Sequence, residues 1–404
     1  MKAEISSGPS GSSTELTAPG RVLARVAGAE PGPTVVVVAG IHGNEPAGIE
    51  AVARVTSRLE LERPELRGRL VALAGNLAAL RESTRFVDED LNRRWTPETV
   101  ALLRGGAGAR PLSTEDREQL ELLHALQVAV DGAAGTLYFL DLHTSSAEGP
   151  PFLTVGDTLC NRRFASQFPL PLILGLEEQV DGALLEYLNN LGFVTLGVEA
   201  GHHENASSVE RLEAVLWLAL VHAGLLAAED VTGLAAARQL LEEAGRGIPR
   251  LVEVRRRHAI SPEDRFSMEP GYDNFHPVTK GQLVARDEHG LVLAPEGGLL
   301  LLPLYQGKGN DGFFIAREVR PFWLGLSSLL RRLRLGALLR LLPGVRRHPA
   351  RRELLVVNTR IARWLALETF HLFGYRKLRR AEGELMFSRR RFDLAPPPSV
   401  DSIW

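Results

Sequence analysis

Apolar residues run in short unbroken blocks through the first half of the chain, and several blocks end on an ionisable residue. VLARVAG, TVVVVAG and LVALAGN are followed by LYFLDLH, PFLTVG, LPLILG and FVTLGVE. Blocks of this length without polar alternation suit strands covered on both faces, as in a parallel sheet with helices on either side. Between them lie stretches of helical spacing, near Ile49 to Leu59 and from Glu115 to Val130. This alternation predicts an α/β domain over 21–245, with a mixed central sheet flanked by helices. In such sheets ligands bind where strands end, so the ionisable residues at the ends of the blocks are the first candidates for chemistry.

Around Leu251 the texture changes to short strands with frequent Gly and Pro, among them VEVRRRHAI, QLVARDEHG, LVLAP, LLLLPLY and FFIAREV. The pattern predicts a smaller all-β domain over 246–320, joined to the first by a helix near Leu234 to Glu243. After Arg320 the balance of charge shifts: 17 Lys and Arg face 4 acidic residues between Pro321 and Phe392, which leaves the rest of the chain acidic. Leucines at helical spacing from Phe322 to Leu342, with Arg331, Arg332, Arg334 and Arg340 between them, predict a basic amphipathic helix. The segment 321–404 is therefore expected to be a basic, partly helical extension. Its apolar face would dock on the acidic body or a second subunit, or lie on a membrane surface. No nucleic-acid partner is expected, because aromatic residues are not interleaved with the basic ones as stacking platforms.

Composition adds bounds. The chain has 404 residues, 45% of them hydrophobic and 24% charged, with a formal net charge of -2, as in ordinary globular proteins. Cys160 is the single cysteine, so no internal disulfide can form. Residues 1–20 lack the apolar core of a secretory signal and read as a mobile tail, and no run reaches the ~20 apolar residues of a membrane span. A cytoplasmic location is the expectation.

The ends of four segments carry the candidate chemistry. In VVVVAGIHGNEPAG, Val35 to Gly48, a buried strand delivers His42 and Glu45 on a turn, with Pro46 placed to start a helix. Imidazole nitrogen and carboxylate oxygen are favoured zinc ligands, though His-x-x-Glu is short and equally describes a turn followed by an acidic helix start. In LYFLDLHTSS a second strand ends on His143, with Asp141 on the same face and able to buttress it. In FVTLGVEAGHHEN a third delivers Glu199, a candidate acid–base group. His202 and His203 follow, as substrate contacts or exposed loop residues. In RFVDEDLNRR, Arg85, Asn92 and Arg93 supply donors for a carboxylate or a carbonyl oxygen, with Asp88 and Asp90 expected to hold the arginines.

Taken in order, GIHGNEPAG, DLNRR, DLH and VEAG resemble the motifs of the succinylglutamate desuccinylase and aspartoacylase family, within the zinc carboxypeptidase-like hydrolases. The resemblance covers roughly Val35 to Gly201, and the segment from Leu251 to Val319 is similar in position and texture to the family's C-terminal domain. It implies one zinc ion per subunit on His42, Glu45 and His143, with Glu199 as general base and acid. Arg85 would polarise the scissile carbonyl, and Asn92 and Arg93 would anchor a substrate carboxylate. The implied reaction is hydrolysis of a small N-acyl substrate.

Two departures bear on the substrate. VDGALLEYLNNLGFVTLGVE lacks the arginine with which aspartoacylase grips a side-chain carboxylate, and Tyr305 is out of register with that enzyme's C-terminal tyrosine. The expectation is a zinc-dependent amidohydrolase acting on a small N-acyl amino acid or related amide. The alternatives are a carboxypeptidase or amidase for peptide-like substrates, and a scaffold protein working through its basic C-terminal helix. The basic extension has no counterpart in the pattern, and an oligomer is left open.

Overall fold

The computed structural model describes residues 20–106, 111–349, 351, 354–358, 366–381, 384–390 and 392–396. The expected N-terminal tail, but for Gly20, and the last eight residues lie outside them.

The first eight strands are β1 (Val22–Ala27), β2 (Glu30–Ala39), β3 (Arg67–Ala74), β4 (Leu137–Ser145), β5 (Phe152–Thr154), β6 (Leu172–Leu174), β7 (Val194–His202) and β8 (Leu251–Ala259). Six more follow: β9 (Ser267–Met268), β10 (His276–Val278), β11 (Leu283–Asp287), β12 (Gly290–Leu293), β13 (Gly298–Leu301) and β14 (Asp311–Glu318). Among the described residues, one 11-stranded sheet runs in the order β1-β3-β2-β4-β7-β5-β6-β8-β14-β13-β10. β2 is parallel to β3 and β4, and β4 is parallel to β7, whereas β5 is antiparallel to β7. The sheet is thus mixed, as the sequence predicts.

The valine run shows why. Val35 and Val37 point into one apolar layer, shared with the helices Ala47–Glu62 and Ala206–His222. Val36 and Val38 point into the other, shared with the helix Thr114–Val130. A strand buried on both faces has no position for a polar side chain, and each fully buried valine contributes ~1.5–3 kcal/mol. The strand therefore stays apolar up to the point where it leaves the sheet, and its first ionisable side chain appears there.

The segment expected as a small all-β domain has its own core around Val284, Leu300, Phe313 and Ile315, with a three-stranded sheet β12-β11-β9. Its other strands prolong the main sheet, because β8 pairs with β6 on one side and with β14 on the other. Sheet continuity carries the loop between β13 and β14 to the ends of β4 and β7.

The extension differs from its expected form in two ways. The helix spans only Pro321–Arg332, then Arg334 takes a left-handed conformation (φ 55°) and Leu335–Leu341 form a tighter 3-10 turn. Leucine periodicity alone gave no sign of that break. Further on lies a four-stranded antiparallel sheet, β15 (Val345–Arg347), β16 (Leu354–Asn358), β17 (Tyr375–Ala381) and β18 (Glu384–Arg389), in the order β15-β16-β18-β17. It closes its own core around Val357, Phe370, Tyr375 and Phe387. In YRKLRRA the basic residues fall in adjacent pairs, Arg376–Lys377 and Arg379–Arg380, which breaks the apolar–polar alternation that marks a strand in the sequence.

Candidate active site

His42 and Glu45 sit on the turn that leaves β2. The turn needs a left-handed residue, supplied by Gly40 (φ 69°), and lies so close to the helix Leu77–Glu82 that a Cβ on Gly43 would meet the backbone of Ala79 at 2.0 Å. Only glycine fits there. From the neighbouring strand β4 comes His143, and from β7 comes Glu199, directly opposite it in the ladder.

The Glu45 carboxylate joins the two imidazoles. Its Oε1 lies 2.8 Å from His42 Nδ1, its Oε2 lies 3.1 Å from His143 Nδ1, and Oε2 also accepts the Thr144 backbone N–H. Each imidazole is held from behind: His42 Nε2 is 3.2 Å from Asp90, and His143 Nε2 is 2.9 Å from Asp141. A carboxylate on the far nitrogen fixes the tautomer and aims the near nitrogen at a cation. The ligating atoms of His42, Glu45 and His143 all lie within 4.8 Å of one another, in a buried position. Nitrogen, oxygen and nitrogen with this backing fit a zinc ion of the catalytic kind.

The titration behaviour agrees with a site short of positive charge. Burial works to raise the Glu45 carboxyl, yet the two imidazoles hold it well below the usual carboxylate range. Burial works to lower His143, and Asp141 with Glu45 pushes it well above the usual imidazole value. Glu199 is pushed up to about 8, chiefly by burial, and its Oε2 is buried without a hydrogen-bond partner.

Arg85 gives Nε and Nη2 to Asp90 and turns Nη1 toward Glu45 at 3.6 Å. Asp90 therefore holds both Arg85 and His42, and burial is outweighed by these cations, which keep its carboxyl well below the usual range. Asp88, expected to hold an arginine, instead accepts the backbone N–H of Thr114. Asn92 and Arg93 do line the cavity, but both carry structural bonds. Asn92 accepts the Leu184 N–H, and Arg93 Nη2 donates to Asp311 at 2.7 Å. His202 and His203 are half-buried outside the cavity wall, with His203 Nδ1 2.7 Å from the Thr144 hydroxyl. The hydroxyl of Tyr305 bonds to backbone groups of Glu269 and Tyr272, and the side chain stays out of the cavity.

His42, Glu45, His143, Glu199, Arg85, Asn92 and Arg93 all line one cavity of ≈ 170 Å³. Sequence reasoning missed the rest of its wall. Gln306 and Asn310 come from the loop between β13 and β14, Asp311 opens β14, and Glu177 and Glu186 come from the segment before β7. The two glutamates are held from outside by the extension, Glu186 by Arg376 at 2.8 Å and Glu177 by Arg390 at 2.8 Å. No motif marks them, because their partners are about two hundred residues away.

Residues 31–215 match the family model described as the succinylglutamate desuccinylase/aspartoacylase catalytic domain. This segment belongs to that family. A succinylglutamate desuccinylase of Burkholderia pseudomallei is 34% identical over 116 residues, 28% of this chain and 31% of the relative. That of Serratia proteamaculans is 39% identical over 112 residues, 28% of this chain and 32% of the relative. The matched stretch thus spans about a third of these family members' length. The fold match is longer: a succinylglutamate desuccinylase/aspartoacylase from Rhodobacter sphaeroides superposes with a TM-score of 0.55 at 20% identity, over 74% of this chain and 88% of the other. The ectoine utilization protein EutE (DoeB) from Ruegeria pomeroyi, in a product-bound structure, gives 0.50 at 20% identity, over 73% and 87%. Family motifs and family fold coincide on the strands that carry the site.

Proposed function

We propose that this chain is a zinc-dependent amidohydrolase that cleaves the amide bond of a small N-acyl amino acid or a related carboxylate-bearing amide. The observation that carries the reading is the unpartnered, buried carboxylate oxygen of Glu199 beside the His42, Glu45 and His143 group. A carboxylate held in this state serves as a proton carrier, since burial brings its pKa close to neutral pH.

In this reading His42, Glu45 and His143 hold the metal, and Asp90 and Asp141 fix the two imidazoles. Zinc bound there supplies Lewis acidity and an acidified water. Glu199 removes a proton from the attacking water and returns it to the departing nitrogen. Arg85, anchored by Asp90, offers Nη1 to the oxygen that becomes negative as the carbonyl is attacked. Asn92 and Arg93, in the wall of the same cavity, orient the substrate carboxylate, with Asp311 holding Arg93 by Nη2. Burial of the cavity strengthens each of these interactions relative to water.

The test is a panel of N-acyl amino acids offered to the zinc-loaded protein and to Glu199→Gln. Hydrolysis of at least one member by the wild type, abolished in a Glu199→Gln protein that still binds zinc, supports the reading. Undiminished hydrolysis by Glu199→Gln would remove its central residue.

A further inference from the structure

Among the described residues, fifteen large apolar side chains are exposed, and seven of them fall in the short stretch 322–342. Phe322, Leu329 and Leu333 recur at helical spacing on one face of Pro321–Arg332, and Phe322 is 69% exposed. The opposite face is turned inward, where Leu324 packs against the main core and two polar residues beside it are bonded. Ser327 donates to the Leu372 carbonyl, and Arg331, 1% exposed in its side chain, bonds Asp157 at 2.7 Å and Asp393 at 3.2 Å. A surface helix ordinarily buries most of its large apolar side chains; this one leaves Phe322, Trp323 and Leu329 exposed and buries an arginine. The 3-10 turn that follows continues the theme, with Leu338 and Leu341 exposed and Leu341 at 79%.

The charge around these side chains has one sign. Residues 319–352 contain no Asp or Glu and nine arginines. Arg332, Arg334, Arg340 and Arg347 are exposed, and Arg340 and Arg347 share a shallow depression with Leu338 and Leu341.

We propose that the ridge formed by Pro321–Arg332 and Leu335–Leu341 seats the protein on an anionic phospholipid surface. Outward leucines and the Phe322–Trp323 pair enter the boundary between headgroups and acyl chains, while the arginines meet lipid phosphates. A lipid surface offers hydrocarbon and negative charge together, which is the combination this ridge lacks. A second copy of the chain fits less well, because a twofold contact through this ridge would bring arginine against arginine. The ridge lies on the surface rather than through it, since no helix among the described residues is long and apolar enough to cross a membrane. The helix is anchored by its buried Arg331, so Phe322, Leu329 and Leu333 stay outward.

The proposal stands apart from the hydrolase reading and is tested on the full chain. Sedimentation with vesicles of phosphatidylcholine alone is compared with vesicles containing phosphatidylglycerol, for the wild type, Leu333→Glu/Leu341→Glu and Arg340→Glu/Arg347→Glu. The wild type is expected to partition at least tenfold more onto the anionic vesicles. Both double variants, at exposed positions that leave the fold and the cavity untouched, should lose at least tenfold of that binding, and higher salt should weaken it. Three outcomes would overturn the proposal. The wild type could stay in the supernatant with both vesicles, or bind both equally. It could also form a dimer that Leu333→Glu/Leu341→Glu abolishes, with no vesicle binding.

Discussion

Two clusters of buried charge share the wall of the cavity, and they are balanced differently. Behind the wall, Asp157, Glu177, Glu178 and Asp393 are matched by Arg162, Arg331, Arg390 and His371, in bonds that tie the C-terminal extension to the α/β domain. At the cavity, Glu45, Asp141 and Glu199, with Asp90 behind them, stand beside two imidazoles and the guanidinium of Arg85, while that of Arg93 is paired with Asp311. Burying charge is costly unless it is paired, so the first cluster is closed and the second is short of positive charge. The consequences appear in the titrations. Burial is overridden by Arg162 and Arg331 to keep Asp157 well below the usual range, and Arg390 is raised further by its carboxylate neighbours. In the cavity, burial pushes Glu199 up to about 8, and at the fastening it raises Glu177 as well, so the two clusters differ in the cations at hand rather than in burial. A divalent cation on His42, Glu45 and His143 would supply the missing charge, so buried ions make a fastening in one place and, in the proposed reading, a reactive centre in the other.

The contrast can be broken most severely at Glu199. Glu199→Gln should reduce hydrolysis by roughly 10²–10⁴-fold with the zinc content unchanged, measured as kcat alongside metal analysis. At the fastening, Arg331→Met takes the arginine from buried Asp393 and leaves Asp157 with Arg162, and it should destabilise the protein by about 3–5 kcal/mol, read from denaturant unfolding. An unfolding midpoint equal to that of the wild type would show that the fastening contributes nothing. The backing carboxylates should behave otherwise: Asp141→Asn is expected to weaken zinc binding by about 10–100-fold while changing the metal-free stability little.

The smallest effect concerns pH. Burial works to lower His371, but Glu178 and Glu253 raise it to about 10. A histidine raised in the folded state contributes stability that is fully present below its unfolded value, ~6.5, and that is lost as pH rises through about 10. Wild-type stability should therefore decline between pH 7 and 10 by more than that of His371→Gln. Parallel declines in the two proteins would show that His371 is not the group that titrates.

The difference between the clusters also explains what could be read in the sequence. His42, Glu45, His143 and Glu199 stand at the ends of apolar runs, because a strand buried on both faces delivers its first polar side chain where it leaves the sheet. The local order of residues therefore carries the cavity's reactive side, and the α/β fold with its mixed sheet follows from the same runs. Asp90 illustrates the limit. It was legible as a partner for an arginine, but its contact with His42 depends on the packing of two turns 48 residues apart. The fastening is less legible still, since Arg331 is bonded to Asp157 across 174 residues and looks in sequence like one more charge on a solvated helix face. The leucines beside it suggested a face that docks; Leu324 does pack on the core, but Leu329 and Leu333 are exposed, and the inner side is held by a buried guanidinium between two carboxylates.

The central claim is that the cavity is completed by one metal ion, and zinc titration of the metal-stripped protein tests it most directly. Calorimetry should show one site per chain, with a raised unfolding temperature on binding, and His42→Ala should lose both. Absence of binding to the folded wild type, or equal binding by His42→Ala, would contradict the account.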